Sequence, residues 1–291
     1  MRLEATVPDA TLGAAPPRGA TPLARLRAQV VRLGAPLCLG IDPHPDQLPD
    51  GLPRSAAGIE RFARGIVEAA GDQAVAVKAN IAFFEAFGSE GLAALERLRA
   101  DVPADTFFVI DAKRGDIGST AERYAEALFG RLRADAVTLS PYLGEDAIEP
   151  FLAVPDRVVY VLARTSNPSA GRLQDLVAEG EPLHEHVARW VAGRWPGGRV
   201  GLVVGATAPG DLKRLRQVVP GPAFLVPGVG AQGGDLAVAV ACCHGADAPG
   251  LVNVSRAIAG ASRGADWQAA ARAAAESLAS RMRELGATLG H

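Results

Sequence analysis

The stretch Phe107–Asp116, FFVIDAKRGD, joins four apolar residues to six residues that carry four charges. The apolar half predicts a buried parallel strand. Because side chains alternate along a strand, Asp111 and Lys113 should point to one face, about 7 Å apart. Ion pairs at the end of a buried strand cost desolvation free energy, so we interpret these charges as chemistry rather than as stabilisation.

Short apolar runs like this one recur along the chain, with helix-period segments between them. The eight predicted strands are Leu37–Ile41, Ala74–Lys78, Phe107–Asp111, Ala136–Ser140, Val158–Ala163, Val200–Gly205, Ala223–Val226 and Leu251–Val254. The helical segments between and after them are Ile59–Ala70, Gly91–Arg99, Thr120–Arg133, Leu183–Arg194, Leu212–Val218 and Ala265–Leu285. This alternation predicts an α/β fold, a single-domain (β/α)8 TIM barrel over residues 21–291 after a loosely ordered tail, residues 1–20. A doubly wound sheet has the same alternation and stays the alternative.

Polar or glycine-containing clusters follow nearly every predicted strand. Examples are Asp42, Lys78, Ser140 and the pair Ser255-Arg256. In a barrel, all of these clusters meet at the rim where catalytic residues lie. In an open sheet, the clusters of the outer strands would lie far apart, so their distribution favours the barrel.

Composition excludes several classes of protein. The 291 residues are 48% hydrophobic with a net charge of −2, which gives no electrostatic case for a nucleic acid or membrane partner. The first twenty residues lack the features of a signal peptide. Cys38, Cys242 and Cys243 form neither a disulfide framework nor a zinc spacing. We therefore expect reduced thiols, a cytoplasmic location and no metal site.

Charged residues at the first three strand ends suggest proton chemistry. Lys78 and Asp111 end neighbouring strands, which lie about 4.8 Å apart, so contact is expected. Asp42 is either a loop carboxylate that accepts backbone N–H groups or an acceptor for substrate hydroxyls. A lysine held charged by carboxylates can deliver a proton to a developing carbanion. The sequence 119–122, STAE, also predicts a capping box for the next helix.

The seventh strand leads into a glycine-rich loop at residues 227–235, PGVGAQGGD. Gly228, Gly230 and Gly233 match the G-x-G-x-x-G pattern of dinucleotide-binding proteins. That pattern belongs to the first strand–helix unit of a Rossmann domain, however, whereas this loop follows the seventh predicted strand. The same glycines suit a loop that holds one phosphate after strands seven and eight, with Ser255-Arg256 as a charged fork. A monophosphate therefore fits better. Residues 166–171 are polar and rich in turn formers, and could form a lid.

These motifs resemble the orotidine 5′-phosphate decarboxylase family, in its longer bacterial branch. The matching segments are LGID (39–42), VK (77–78), DAKRGDIGST (111–120), LSPYLG (139–144), ARTSNP (163–168), PGVGAQGGD (227–235) and NVSR (253–256). They follow the order of the strands, and the resemblance covers about residues 20 to 285.

The resemblance implies conversion of orotidine 5′-monophosphate (OMP) to UMP and carbon dioxide in pyrimidine biosynthesis, without cofactor or metal. It implies a charged tetrad of Lys78, Asp111, Lys113 and Asp116, with Asp111 beside the substrate carboxylate and Lys113 as proton donor to C6. The implied substrate contacts are Asp42 and Lys78 to the ribose, Ser140 to the pyrimidine, and Gln232, Ser255 and Arg256 to the phosphate. Ser255 stands where many members have glycine. Asp116 and Thr120 would reach the neighbouring active site across a homodimer interface.

Two other functions remain open. A Mg²⁺-dependent hexulose- or gulonate-phosphate lyase uses the same scaffold, although Lys78 disfavours an open cation site. A catalytically silent barrel that senses a nucleotide would bind UMP without turning over OMP. The complete set of aspartates and lysines argues against that second alternative.

Overall fold

Eight parallel strands close into a barrel in the computed structural model, which describes residues 20–230 and 233–289. Two short strands, β6 and β7, form a separate hairpin outside the barrel. In chain order all of these strands are β1 Leu37–Ile41, β2 Ala76–Asn80, β3 Phe107–Arg114, β4 Ala136–Leu139, β5 Val158–Arg164, β6 Val177–Ala178, β7 Glu181–Pro182, β8 Val200–Val204, β9 Phe224–Pro227 and β10 Leu251–Val254. The barrel order is β1-β2-β3-β4-β5-β8-β9-β10, and β10 pairs with β1. The predicted (β/α)8 barrel is confirmed. The alternative prediction, a doubly wound open sheet, is wrong, because the pairing of β10 with β1 closes the sheet.

Helices surround the barrel. Their bounds are α1 Pro22–Leu33, α2 Ala56–Ala70, α3 Ala82–Glu85, α4 Gly88–Asp101, α5 Gly118–Ala125, α6 Glu149–Leu152, α7 Gly171–Gln174, α8 Leu183–Arg194, α9 Pro209–Val218, α10 Leu236–Cys243, α11 Arg256–Ala259 and α12 Trp267–Leu289. The predicted bounds of α8 match, and the other predicted helices lie within one or two turns of the observed ones. A π-helical stretch, Glu126–Arg131, continues α5.

Alternation along β3 divides the apolar core in two. Phe107 and Val109 pack inside the barrel with Tyr160, whereas Phe108 and Ile110 pack outside it against the helices. Because side chains of a strand alternate between its two faces, the inner row continues upward into Asp111 and Lys113. The sequence pattern that fills the core therefore also places two charges at the top of the barrel.

The first helix closes the bottom of the barrel. Thr21 caps it by accepting the Ala24 N–H, and Leu26 is buried in the interior core. Arg25 forms an ion pair of 2.6 Å with Asp135, whose second oxygen accepts the Phe108 N–H at 3.0 Å. The sequence did not predict this helix. Residues 1–19 of the predicted tail lie outside the described residues.

Three local features differ from the sequence predictions. Strand β3 runs on to Arg114 through an irregular register against β4, so its charges lie within the strand. The capping box is wrong, because α5 begins at Gly118 and Ile117 precedes it without a side-chain cap. The hairpin β6–β7 was not predicted.

The three cysteines are free and buried, as expected. Over residues 20–230 and 233–289, the helices lack the combined length and apolar character that a membrane crossing requires.

Candidate active site

Charged side chains from β1, β2 and β3 meet at the C-terminal rim of the barrel. Lys78 Nζ lies 3.1 Å from one oxygen of Asp111 and 3.7 Å from Asp42. Lys113 Nζ lies 2.6 Å from the other oxygen of Asp111. Strand pairing accounts for this arrangement, because Asn80 faces Asp111 and Lys78 faces Gly40 in register. The predicted contact between Lys78 and Asp111 is present.

We call the side chains of Asp42, Lys78, Asp111 and Lys113 the charged array. A backbone irregularity at the top of β3 orients it. The pairing of β3 with β4 shifts register between Ile110 and Arg114, and Lys113 has a left-handed φ of 48°. The Lys113 N–H then donates to Thr138 Oγ1 at 2.9 Å, and that hydroxyl donates to Asp111 at 2.8 Å. Bulges and strained residues of this kind occur next to active sites, where they redirect side chains.

Asp111 and Lys78 keep their charges although Lys78 is buried and Asp111 is nearly so. Burial opposes ionisation of Asp111, but Lys78 and Lys113 outweigh it, so the pKa of Asp111 falls well below its usual range. Burial also opposes the ammonium of Lys78, yet Asp42 and Asp111 raise the Lys78 pKa above its usual value. Below this array, burial raises the pKa of the Cys38 thiol to about 12, so that thiol stays protonated.

A cavity of about 540 Å³ opens above the array. Its floor combines the charged side chains with apolar ones from the neighbouring strands, among them Leu162, Val203 and Leu225. A groove of about 1060 Å³ runs along α2 and the start of α12, but it contains none of the strand-end charges. We place the site in the smaller cavity, because its chemistry and its position at the barrel rim agree. Elsewhere in the described segments, no three His, Cys, Asp or Glu side chains group as a metal site would require.

The first residues of the glycine-rich loop, Pro227, Gly228 and Val229, and the end of β10 form one wall of this cavity. Gly228, Gly230 and Gly233 have φ values of 97°, 81° and 79°, which explains the need for glycine at each position. Ser255 and Arg256 line the same wall, and Arg256 is exposed. Gln232 lies outside the described residues.

The close approach of β1 to the end of β10 determines where the Ser255 side chain lies. A β-carbon added to Gly40 on β1 would lie 1.8 Å from the Ser255 hydroxyl oxygen, so Ser255 fills space that a side chain would otherwise take.

Three predicted site residues lie outside the cavity of a single chain. Asp116 accepts the N–H of Ile117 at 2.9 Å, and Thr120 is exposed on α5. Ser140 is absent from the cavity lining, and its N–H donates to the Arg114 carbonyl at 2.8 Å. The structure therefore brings together Asp42, Lys78, Asp111, Lys113, Ser255 and Arg256, and leaves Asp116, Thr120 and Ser140 apart from them.

The sequence interpretation missed several cavity residues. Thr138 lies within an apolar strand and gave no signal beyond its polarity. Asn253 lies at the cavity, is 6% exposed, and has an Oδ1 atom without a partner within the described residues. Gln174 reaches the cavity from the segment after β5, beyond residues 166–171, which the sequence predicts as a lid. Ser166 from that segment lines the cavity as well.

A closed barrel with lysines and carboxylates at its C-terminal rim defines a (β/α)8 barrel enzyme with a charged active site. The family profile described as orotidine 5′-phosphate decarboxylase / HUMPS family matches residues 35–274. The chain belongs to this family.

Individual relatives agree with this assignment. A protein of Roseiflexus castenholzii named orotidine 5′-phosphate decarboxylase is 52% identical over 245 residues, which cover 83% of this chain and 90% of the relative. One of Herpetosiphon aurantiacus with the same name is 45% identical over 254 residues, 87% of this chain and 94% of the relative. The solved structure of Leishmania donovani OMP decarboxylase has 39% identity and a TM-score of 0.80, covering 92% of this chain and 99% of that one.

Proposed function

We propose that the protein is an orotidine 5′-phosphate decarboxylase, a carboxy-lyase that converts OMP to UMP and carbon dioxide. The observation that carries this function is the ionised Asp111 between two lysines, at 3.1 Å from Lys78 and 2.6 Å from Lys113, on the floor of the cavity. A buried carboxylate of this kind disfavours a second carboxylate beside it, and the substrate brings one.

The reaction follows from these positions. With the substrate carboxylate beside Asp111, the bond between C6 and the carboxyl carbon breaks, carbon dioxide leaves, and the electron pair remains on C6. The Lys113 ammonium then transfers a proton to C6. The Lys113 side chain is 49% exposed, so the amine can regain a proton from solvent before the next turnover.

The remaining cavity residues account for substrate binding. Asp42 and Lys78 serve the ribose hydroxyls, and Ser255 and Arg256, with Gln232, serve the phosphate. The phosphate is remote from C6, so its binding free energy can offset the unfavourable crowding of two carboxylates. Because Ser166 lines the cavity and Ser140 does not, we assign the pyrimidine contact to Ser166.

A homodimer would explain the position of Asp116 and Thr120. Both lie beside exposed apolar side chains of the same rim, with Ile117, Tyr142 and Leu143 exposed to 54%, 82% and 48%. Apolar side chains of this size at one edge mark an interaction surface. We infer that a second copy covers them and receives Asp116 and Thr120 at its own substrate ribose.

Mixing two inactive variants tests the shared site. Lys113→Ala lacks the proton donor, whereas Asp116→Ala lacks the contribution to the neighbour. A hybrid dimer has one site with both residues intact, so mixed and re-equilibrated variants should recover about a quarter of wild-type activity. No recovery, with sedimentation showing hybrid dimers, would contradict the shared site.

Absorbance decay of OMP, measured with and without EDTA, tests the function itself. We expect equal turnover in both, in the absence of any added cofactor. Dependence on Mg²⁺ with a sugar phosphate would favour the lyase, and UMP binding without OMP turnover would favour the sensor. The free, buried cysteines suit a reducing compartment, so we place the reaction in the cytoplasm.

A further inference from the structure

The segment that follows β5, residues 165–175, forms one side of the cavity, and we call it the lid segment. Thr165, Ser166, Asn167 and Gln174 of this segment line the cavity. Thr165, its first residue, is hydrogen-bonded to Gln174 near its other end. The question is what holds the segment in position before substrate arrives.

Gln174 joins the two ends of the lid segment through its side-chain amide. Its Oε1 accepts the Thr165 N–H at 2.9 Å, and its Nε2 donates to Thr165 Oγ1 at 2.7 Å. The Thr165 hydroxyl in turn donates to Asn167 Oδ1 at 2.6 Å, and Asn167 Nδ2 donates to Ser169 at 3.2 Å. A threonine hydroxyl has one proton, so the direction of this relay is fixed from Gln174 towards Asn167.

Side chains outside the cavity hold Gln174 itself. His184, which is buried, donates from Nδ1 to the Gln174 carbonyl at 2.9 Å. Arg164 lies 3.1 Å from Asp175 and 2.8 Å from Asp211, and its guanidinium also donates to Gln174 Oε1 at 3.4 Å. The lid segment is thus tied to α8 and α9 at the residue that closes it.

We propose that Gln174 is a positioning residue, which orients the cavity-facing side chains of Thr165 and Asn167 through this relay. The inference rests on the proposed function for its kinetic readout. Because the relay is complete in the free protein, its loss adds an ordering cost to the binding of substrate and transition state alike. Such a loss raises KM and leaves kcat unchanged.

Three variants separate positioning from direct substrate contact. Gln174→Ala should raise the KM for OMP and the inhibition constant of UMP about tenfold, with kcat within about twofold. Thr165→Val keeps Gln174 but breaks the relay, and should give the same rise. Gln174→Glu keeps an acceptor for the Thr165 N–H but has no proton to donate, so it should also match Thr165→Val. Gln217→Ala, on the exposed face of α9, is the matched control.

Hydrogen exchange gives a readout that does not depend on the reaction. The Thr165 amide should exchange faster in free Gln174→Ala than in wild type, and at the wild-type rate in Gln174→Glu. Wild-type KM in Thr165→Val, or unchanged exchange in Gln174→Ala, would overturn the proposal. If the wild type fails to convert OMP, the proposed function falls, while the exchange result still decides the role of Gln174 in holding the lid segment.

Discussion

Lys113 combines two features that seldom occur in one residue of a strand. Its backbone is left-handed, with φ at 48°, and its ammonium lies 2.6 Å from Asp111. A left-handed non-glycine residue costs about 1–2 kcal/mol. The bonds from the Lys113 N–H to Thr138 and from Thr138 to Asp111 hold this conformation in place. Local strain is thus coupled directly to the position of the Lys113 ammonium, which we propose as the proton donor.

Replacing Lys113 with alanine should remove turnover while the fold persists. We expect kcat to fall by about four orders of magnitude, the upper end of what a positioned proton donor contributes. The rate of OMP conversion at saturating substrate measures kcat, and the circular dichroism spectrum reports whether the fold persists. Lys213→Ala, on the exposed side of α9, serves as control. Near-normal turnover in Lys113→Ala would exclude it as the donor.

Arg256 should contribute to phosphate binding rather than to the chemical step. It is exposed at the cavity wall with room for an anion. Arg256→Ala should weaken UMP binding by about 1.5–3 kcal/mol, the value of a hydrogen bond to a charged group. Titration calorimetry with UMP and with uridine checks this, because uridine binding should not change. Arg281→Ala, at an exposed position on α12, is the matched control for Arg256→Ala. An unchanged UMP affinity in Arg256→Ala would contradict the assignment of Arg256 to phosphate binding.

At the scale of elements, β1 and β10 approach each other closely at the cavity. The β-carbon of an alanine at position 40 would lie 1.8 Å from Ser255 Oγ and 2.9 Å from Asn253 Oδ1. Gly40→Ala should therefore lower the free energy of unfolding by about 1–3 kcal/mol through overpacking.

Removing the clashing hydroxymethyl group should rescue much of this loss. In the double variant Gly40→Ala/Ser255→Gly, the free energy of unfolding should return towards that of Ser255→Gly alone. Urea denaturation of the four proteins measures the coupling. Strict additivity of the two changes would show that Ser255 is not what excludes a side chain from position 40.

Strands and their polar ends could be predicted from sequence because each is a local pattern. Leu37–Ile41 and Leu251–Val254 match the structure residue for residue. The charged array also followed, since alternation and adjacency of β2 and β3 suffice to bring Lys78 to Asp111. Helix α1 was missed because it packs beneath the barrel, and that contact involves Asp135, more than a hundred residues away.

Other site residues depend on contacts that no local pattern encodes. Thr138 matters through the shifted register of β3, and Gln174 through a fold-back of the chain onto Thr165. Asp116 and Thr120 lie away from the cavity of their own chain, so their predicted role depends on a second copy.

At the scale of the whole molecule, the charged array makes stability depend on pH. The Asp111 pKa is lowered in the folded state, because the two lysines outweigh burial. Its ionised form therefore stabilises the fold above the unfolded-state pKa of about 4, and this contribution is lost as the pH falls below it. The free energy of unfolding of wild type relative to Asp111→Asn should stay constant from pH 6 to 8 and shrink below about pH 4. Urea titrations at each pH test this, with the exposed Asp50→Asn as reference, and a pH-independent difference would contradict it.

The base of β3 gives the array a further property. Asp135 accepts the Phe108 N–H there, and Arg25 holds Asp135 from the helix that closes the barrel. A strand fixed at its foot cannot slide to relax the charges at its top. The charges of the array are therefore fixed in position when the protein folds. Because the electric field that acts on the substrate is already in place, each turnover requires little reorganisation energy in the protein.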